Sequence, residues 1–325
     1  MLAAYAARID PDDPLAALEV GDLPEPDPPA GWVTVEVRAA ALNHHDVWSL
    51  KGVGLPEERL PMILGCDAAG VDPEGNEVIV HCVVSDPDWR SDETLDPKMS
   101  LLSEIHPGTL AERVSVPARN LVPKPTGLSF EDAACLPTAW LTAYRMLFVR
   151  GALAPGETVL VQGAGGGVAS AAIALGHAAG LRVWATSRDE RKRALAQELG
   201  AAAAFEAGAR LPERVDAVIE TVGEATWKHS VRSLKPGGRL VVAGGTSGLQ
   251  PPAELPHLFF RQLSVLGSTM GTLDELRQLV AMVEVTGLRP HIDRTIPLAA
   301  AAEGFEAMVA GELLGKVVLL PGGTA

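Results

Sequence analysis

The chain lacks an excess of positive charge, a cysteine framework and any long apolar run, and each lack removes a class of function. Lysine and arginine number 27 against 41 aspartates and glutamates, for a net charge of -14. Nucleic acid and anionic membrane both need a basic face, so neither is an expected partner. An anionic cofactor stays open, because it needs only a few local cations and aligned backbone amides. The cysteines, Cys66, Cys82 and Cys135, are scattered and odd in number, which speaks against a disulfide scaffold. No CxxC pair is present, so a structural zinc site is not expected. The start, MLAAYAARIDPDDP, is broken by acids and prolines before a signal core can form, and no apolar run would span a bilayer. The expectation is a soluble cytoplasmic protein.

What is present is an ordinary globular composition, 47% hydrophobic and 21% charged, over 325 residues. That length suits two domains. The first third reads as β-rich. WVTVEVRAAAL from Trp32 alternates as a half-buried strand should, EVIVHCVV from Glu77 reads as a second strand, and the acidic stretch Ser85 to Lys98 reads as an exposed loop. After the prolines at Pro123 and Pro125 the character changes. Ser129 is placed to cap a helix, with Asp132 three residues on. Short apolar strands then alternate with helices: ETVLVQG, LRVWATS, VDAVIETVG, GRLVVAGG and QLSVLGS. That alternation predicts a parallel, doubly wound α/β sheet.

The densest motif is ETVLVQGAGGGVASAAIALGHAAGLRVWATSR. A strand runs into Gly163, Ala164, Gly165, Gly166 and Gly167, and a helix opens at Val168. Glycines suit such a turn because it is tight and a pyrophosphate must approach bare backbone. The helix N-terminus then offers free N–H groups and a favourable dipole. A flexible turn would also be glycine-rich, but the strand, helix and second strand match a dinucleotide-binding βαβ unit. The residues after the second strand bear on the cofactor. NAD enzymes place an acid there for the ribose 2′-OH. This chain has Ser187 and Arg188, then Arg191 and Lys192, which suit a 2′-phosphate and point to NADP. Asp189 and Glu190 weigh the other way, and a charged first helical turn in solvent would look similar.

These motifs, with RAAALNHHDVW, LPMILGCDAAGV, GTLAERVSVPARNLVPKP, LPTAWLTAYRML, GGRLVVAGGTSG and GKVVLLP, resemble the medium-chain dehydrogenase/reductase superfamily, in its zinc-independent quinone oxidoreductase or enoyl reductase branch. The resemblance covers nearly the whole chain. It implies a GroES-like, β-rich catalytic domain from residues 1–123 and 264–325. A Rossmann domain over 124–263 would be inserted between them, with the active-site cleft at their junction. Zinc-dependent members hold their catalytic metal at positions that match Asn43, Cys66 and Thr138, a poor set for zinc. No zinc is therefore expected. A rearranged site using Cys66 with His45, Asp67, His81 or Cys82 is the alternative.

Without a metal, hydride transfer needs orientation of the nicotinamide and something to polarise the acceptor. The catalytic candidates are Asn43 as polariser, His44 or His45 as proton donor, expected to face opposite ways in an extended or looped segment, and Asp46, more simply a buttress of the loop. The resemblance further implies cofactor contacts at Thr142, Gly244, Gly245, Thr246, Ser268, Met270 and Lys316, and a homodimer through edge strands near Leu263 to Gly267. The expected function is an NADPH-dependent reductase of a quinone or an α,β-unsaturated carbonyl. The alternatives are a zinc-type alcohol dehydrogenase with an altered metal site and a non-catalytic cofactor-binding protein.

Overall fold

The alternating run from Trp32 becomes a ten-residue strand, Trp32–Ala41, around which the first of two units is built. A computed structural model describes residues 1–323. It divides into Met1–Thr138 with the segment from Gly271 onward, and Ala139–Met270. In the first unit Trp32–Ala41 pairs antiparallel with Asp67–Val71, Arg113–Pro117 and the closing strand Lys316–Leu320. Asp67–Val71 continues the sheet through Glu77–Val80 to Leu121–Pro123. Val35, Val37, Ala39, Ile79, Val114 and Val318 are buried, and Asp67–Val71 and Lys316–Leu320 bury consecutive residues, so both faces of those strands are covered. The closing strand therefore brings the C-terminal residue Lys316 beside the start of the chain's first helix.

That helix, His44–Leu50, is a correction to the extended segment expected around the two histidines. Asn43 stands at its N-cap, and the Asp46 carboxylate reaches back to the Asn43 backbone N–H at 2.8 Å. This is half of a capping box and it starts a helix where the sequence shows no clear periodicity. The acidic stretch from Ser85 is indeed outside the main sheet. Its aspartates serve as local caps, with Asp92 accepting from Thr94 N and Asp96 from Lys98 N.

In the second unit six parallel strands run in the order Ala203–Phe205, Arg182–Thr186, Thr158–Val161, Val215–Glu220, Leu234–Val242, Ser264–Gly267. This is a doubly wound dinucleotide-binding order. The order reverses between Thr158–Val161 and Val215–Glu220, and open sheets of this kind take ligands at such a switch point. Leu160, Val218 and Leu240 from the central strands share one core with Val231 of the helix Glu224–Ser233.

Two segments fall on the other side of the boundaries expected from sequence. Ser264–Gly267 pairs with Leu234–Val242 and belongs to the parallel sheet. The helix Phe130–Ala134, capped by Ser129 Oγ accepting from Asp132 N, packs on Trp32–Ala41 and Asp67–Val71 in the first unit. Burial of each apolar face, and not the position of the prolines, sets where the chain divides.

Candidate active site

The dinucleotide turn is built as its glycines require. Gly163 and Gly165 adopt φ of +72° and +104°, where a side chain is strained. A Cβ on Gly163 would also sit 2.6 Å from Val222. Gly166 is different. It caps the helix Gly167–Ala178 with an ordinary φ of -79°, and a Cβ there would meet nothing within 4 Å. The space over Gly166 is free for a ligand, and the first N–H groups of the Val168 turn lie beside it.

After the next strand, Ser187 is buried and its Oγ accepts from Asp189 N at 3.2 Å. Arg188 is exposed. Asp189 is the N-cap of the helix Glu190–Glu198: its carboxylate accepts from Arg191 N at 2.8 Å and pairs with the Arg191 guanidinium at 3.1 Å. Those bonds hold the Asp189 carboxyl below its ordinary range, the Arg191 side chain most of all. Asp189, one of the two acids that could read a ribose 2′-OH, is thus committed to its own helix.

Gly244, Gly245 and Thr246 follow Leu234–Val242 and lean on the turn after Glu220, where Thr246 N donates to Thr221 O at 3.3 Å. Ser268 joins them through its N–H to Val242 O at 2.8 Å, and its hydroxyl has no hydrogen-bond partner. Met270 is held at φ +47°. Thr142 is buried on the helical turn Leu141–Tyr144. Lys316 does not join this group. It lies in the other unit, and its ammonium donates to Leu42 O at 2.7 Å, Asn43 Oδ1 at 2.6 Å and Asp67 Oδ2 at 3.0 Å. All three of its donors are used, so it is a structural cation and not a cofactor contact.

The same network redefines Asn43. Its amide nitrogen donates to Asp67 Oδ2 at 2.8 Å and to Ala41 O at 3.3 Å, which leaves no proton to polarise a substrate carbonyl. Asp46 is fully engaged as well, with Oδ1 accepting from Gly65 N at 3.1 Å. His44 is exposed, its ring edge against Trp48. His45 is the candidate with a titratable proton, and both of its ring nitrogens have partners. Its Nε2 lies 3.1 Å from Glu104 Oε1 and its Nδ1 3.4 Å from Cys66 Sγ. Burial alone would depress its pKa. The Cys66 sulfur and the Asp46 and Glu104 carboxylates outweigh that and hold it well above the usual imidazole value. Contact with the Cys82 sulfur, then burial, pushes the Cys66 thiol up in turn.

The positions that match the zinc ligands of zinc-dependent members offer a poor donor set here. Asn43 is tied to Asp67 and Lys316, and Thr138 offers only a hydroxyl. His45, Asp46 and Cys66 do offer donor atoms within 4.8 Å of one another. Yet both Asp46 oxygens already hold backbone N–H groups. Asp67 was named only as a possible metal ligand, and Glu104 and the residues around Glu220 were missed as site residues. Glu220 could have been noticed, as an acid ending the apolar run VDAVI before a glycine turn; Glu104 had no local signal.

Two family models match the chain, the alcohol dehydrogenase GroES-like domain over residues 29–126 and the zinc-binding dehydrogenase over residues 167–284. A crystal structure of an NAD-dependent alcohol dehydrogenase is 36% identical, with a TM-score of 0.91 over 99% of this chain and all of that one. The chain belongs to the medium-chain dehydrogenase/reductase superfamily. It is an oxidoreductase of that superfamily, with a GroES-like unit and a Rossmann-like unit. It is similar to the acryloyl-coenzyme A reductase of Metallosphaera sedula, at 29% identity over 93% of this chain and 96% of that one. It is also similar to a 2-octenoyl-CoA carboxylase reductase whose structure holds NADP and 2-octenoyl-CoA, at 25% identity and a TM-score of 0.89 over 98% and 87% of the two chains.

Proposed function

We propose that this oxidoreductase uses NADPH, works without zinc, and delivers hydride to an α,β-unsaturated carbonyl, with enoyl thioesters and quinones as the acceptor classes to test. The observation that carries it is the commitment of Asn43 to Asp67 and Lys316, which occupies a metal-ligand position of zinc-type relatives with an internal ion pair. The kinship with an acryloyl-coenzyme A reductase and an enoyl-CoA carboxylase reductase supports the acceptor class. For the cofactor, the support is the capping role of Asp189 beside an exposed Arg188, together with the NADP bound by one relative. The bound cofactor supplies the hydride. His45, its pKa raised against burial by the Cys66 sulfur and then by Asp46 and Glu104, donates the proton that completes the reduction.

The test is a purified protein assayed for oxidation of NADPH and NADH against enoyl thioesters, enals and quinones, with metal content measured on the same sample. NADPH-linked reduction at substoichiometric zinc is the expected outcome. No turnover of any acceptor alongside tight NADPH binding would favour a cofactor-binding protein without catalysis. The second enzymatic reading, an NAD-linked alcohol dehydrogenase with a rearranged metal site, draws on the His45, Asp46 and Cys66 cluster and on the 36% identical alcohol dehydrogenase. Stoichiometric zinc with NAD-linked alcohol oxidation would establish it in place of the first.

No helix among the described residues is long and apolar enough to cross a membrane. We place the protein in the cytoplasm as a homodimer. The strand Ser264–Gly267 ends the parallel sheet with an unpaired edge, and Val265 (44% exposed) and Phe260 (79% exposed) lie on or near it. Sedimentation at the mass of one chain would remove the dimer.

A further inference from the structure

Beneath the dinucleotide turn lies a polar network that the hydride chemistry does not touch. Glu220 ends the strand Val215–Glu220 and is 0% exposed. Its charge is met by aligned donors. Oε1 accepts from Val222 N at 2.8 Å, Gly223 N at 3.1 Å and Thr226 Oγ1 at 2.9 Å. Oε2 accepts from Ser230 Oγ at 2.5 Å and lies 2.9 Å from Thr226 Oγ1. Ser230 Oγ accepts from Gln162 Nε2 at 2.9 Å, and Gln162 Oε1 accepts from Thr186 Oγ1 at 2.5 Å. Gln162 Nε2 also donates to His229 Nδ1 at 2.9 Å, while His229 Nε2 donates to Ala209 O at 2.9 Å. That pattern assigns His229 the neutral tautomer with its proton on Nε2.

Three members stand at strand ends that bear on the cofactor, and the others lie on the helix Glu224–Ser233. Gln162 directly precedes Gly163, Thr186 directly precedes Ser187 and Arg188, and Glu220 directly precedes the turn Thr221 to Gly223. That turn touches both glycine segments. A Cβ on Gly163 would strike Val222, and one on Gly223 would come 2.3 Å from Gly248 O and 2.9 Å from Gly245 Cα. Ser247 N donates to Val222 O at 2.7 Å. The turn therefore sits at the point where the strand order reverses, between the phosphate turn and the loop that follows Leu234–Val242. Sealing a carboxylate in a core is an expensive way to fill space. Here it holds two backbone N–H groups and two hydroxyls in one fixed arrangement.

We propose that Glu220 is a positioning residue of the dinucleotide site: it locks the turn Thr221 to Gly223 and, through Ser230, Gln162 and Thr186, keeps that turn in register with the Ser187–Arg188 end. This rests on the dinucleotide reading above. Glu220→Gln preserves shape but turns an NH2 group towards donors, so the turn loses part of its hold. The dissociation constant for NADPH, followed by its fluorescence at 25 °C on protein shown folded by near-ultraviolet circular dichroism, should rise about tenfold, the effect of one buried polar group left unpaired. Ser230→Ala keeps the backbone bonds to Glu220 and removes the hydroxyl that bridges Glu220 Oε2 and Gln162 Nε2. It should raise the dissociation constant of adenosine 2′,5′-bisphosphate about threefold, because the Ser187–Arg188 end loses its link to the turn while Glu220 keeps its two backbone N–H groups. A purely structural role would lower the thermal midpoints of both variants and leave both dissociation constants at wild-type values, which overturns the proposal. If Glu220→Gln does not fold, an unchanged constant for Ser230→Ala overturns it alone. Wild-type protein that binds neither NADPH nor NADH removes the dinucleotide reading, and the proposal with it.

Discussion

The two units make their sites from different materials. In Ala139–Met270 the site is backbone: glycines at positive φ, a helix N-terminus and strand ends that sit within one βαβ stretch. In the other unit it is side chains from remote parts of the chain. Lys316 and Asn43 lie 273 positions apart yet share a 2.6 Å hydrogen bond, and His45 and Glu104 lie 59 apart. The difference teaches that a backbone site fails by blocking or strain, whereas a side-chain site fails by leaving a buried partner alone.

The sharpest way to expose that contrast is Lys316→Met. Asp67 is 0% exposed and already has one unpaired oxygen, Oδ1. Removing its cation leaves a buried charge, and breaking such pairs costs about 3–5 kcal/mol. Denaturant unfolding should show a loss of that size. Adding Asp67→Asn to Lys316→Met should restore part of it, because the double variant no longer buries an uncompensated charge. Equal stability of Lys316→Met and wild type would contradict the buried pair.

The backbone counterpart is Gly166→Ala. No protein atom lies within 4 Å of the added Cβ and φ is ordinary, so the fold should be untouched. A methyl group there meets the incoming pyrophosphate, and NADPH affinity should fall by roughly tenfold or more. Unchanged binding would move the phosphates away from this turn. Arg188→Ala probes the same surface more gently. Loss of one charged contact to a 2′-phosphate should narrow the preference for NADPH over NADH by up to about tenfold, with NADH binding unaltered.

The same contrast explains what was legible in the sequence. The glycine turn, the alternating strands and the parallel sheet follow from local rules over contiguous residues, and the structure carries them. The helix at His44 was not visible, because it is started by the Asn43–Asp46 cap and held by burial of Val47 and Leu50 more than by periodicity. The role of Asn43 was misread as a polariser, since nothing near it in sequence announces Asp67 or Lys316. Lys316 was taken for a cofactor contact for the same reason: only the pairing of Lys316–Leu320 with Trp32–Ala41 brings it to Asn43. Strand ends announce backbone chemistry; sheet pairing decides which distant side chains meet.

The smallest effect tests the side-chain site at its most delicate point. His45 is held above the ordinary imidazole pKa: burial opposes its charge, and the Cys66 sulfur, Asp46 and Glu104 prevail. As a proton donor it acts when protonated, so reductase activity should be full at lower pH and decline as pH rises through the raised value. The stability linked to this group has the same sense. It is fully present below the pKa of a free imidazole and is lost as pH rises through the folded value. Glu104→Gln keeps a hydrogen-bond acceptor for Nε2 but deletes a negative charge 3.1 Å away. The alkaline limb of the pH–rate profile should therefore move to lower pH while the plateau rate changes little. Glu104 and His45 are both partly exposed, so solvent and salt soften the shift, and raising ionic strength should narrow the gap between the two profiles. Superimposable profiles for wild type and Glu104→Gln would take His45 out of the proton-transfer step, leaving solvent as the donor and the backbone site of the other unit as the part of the protein that does most to shape the reaction.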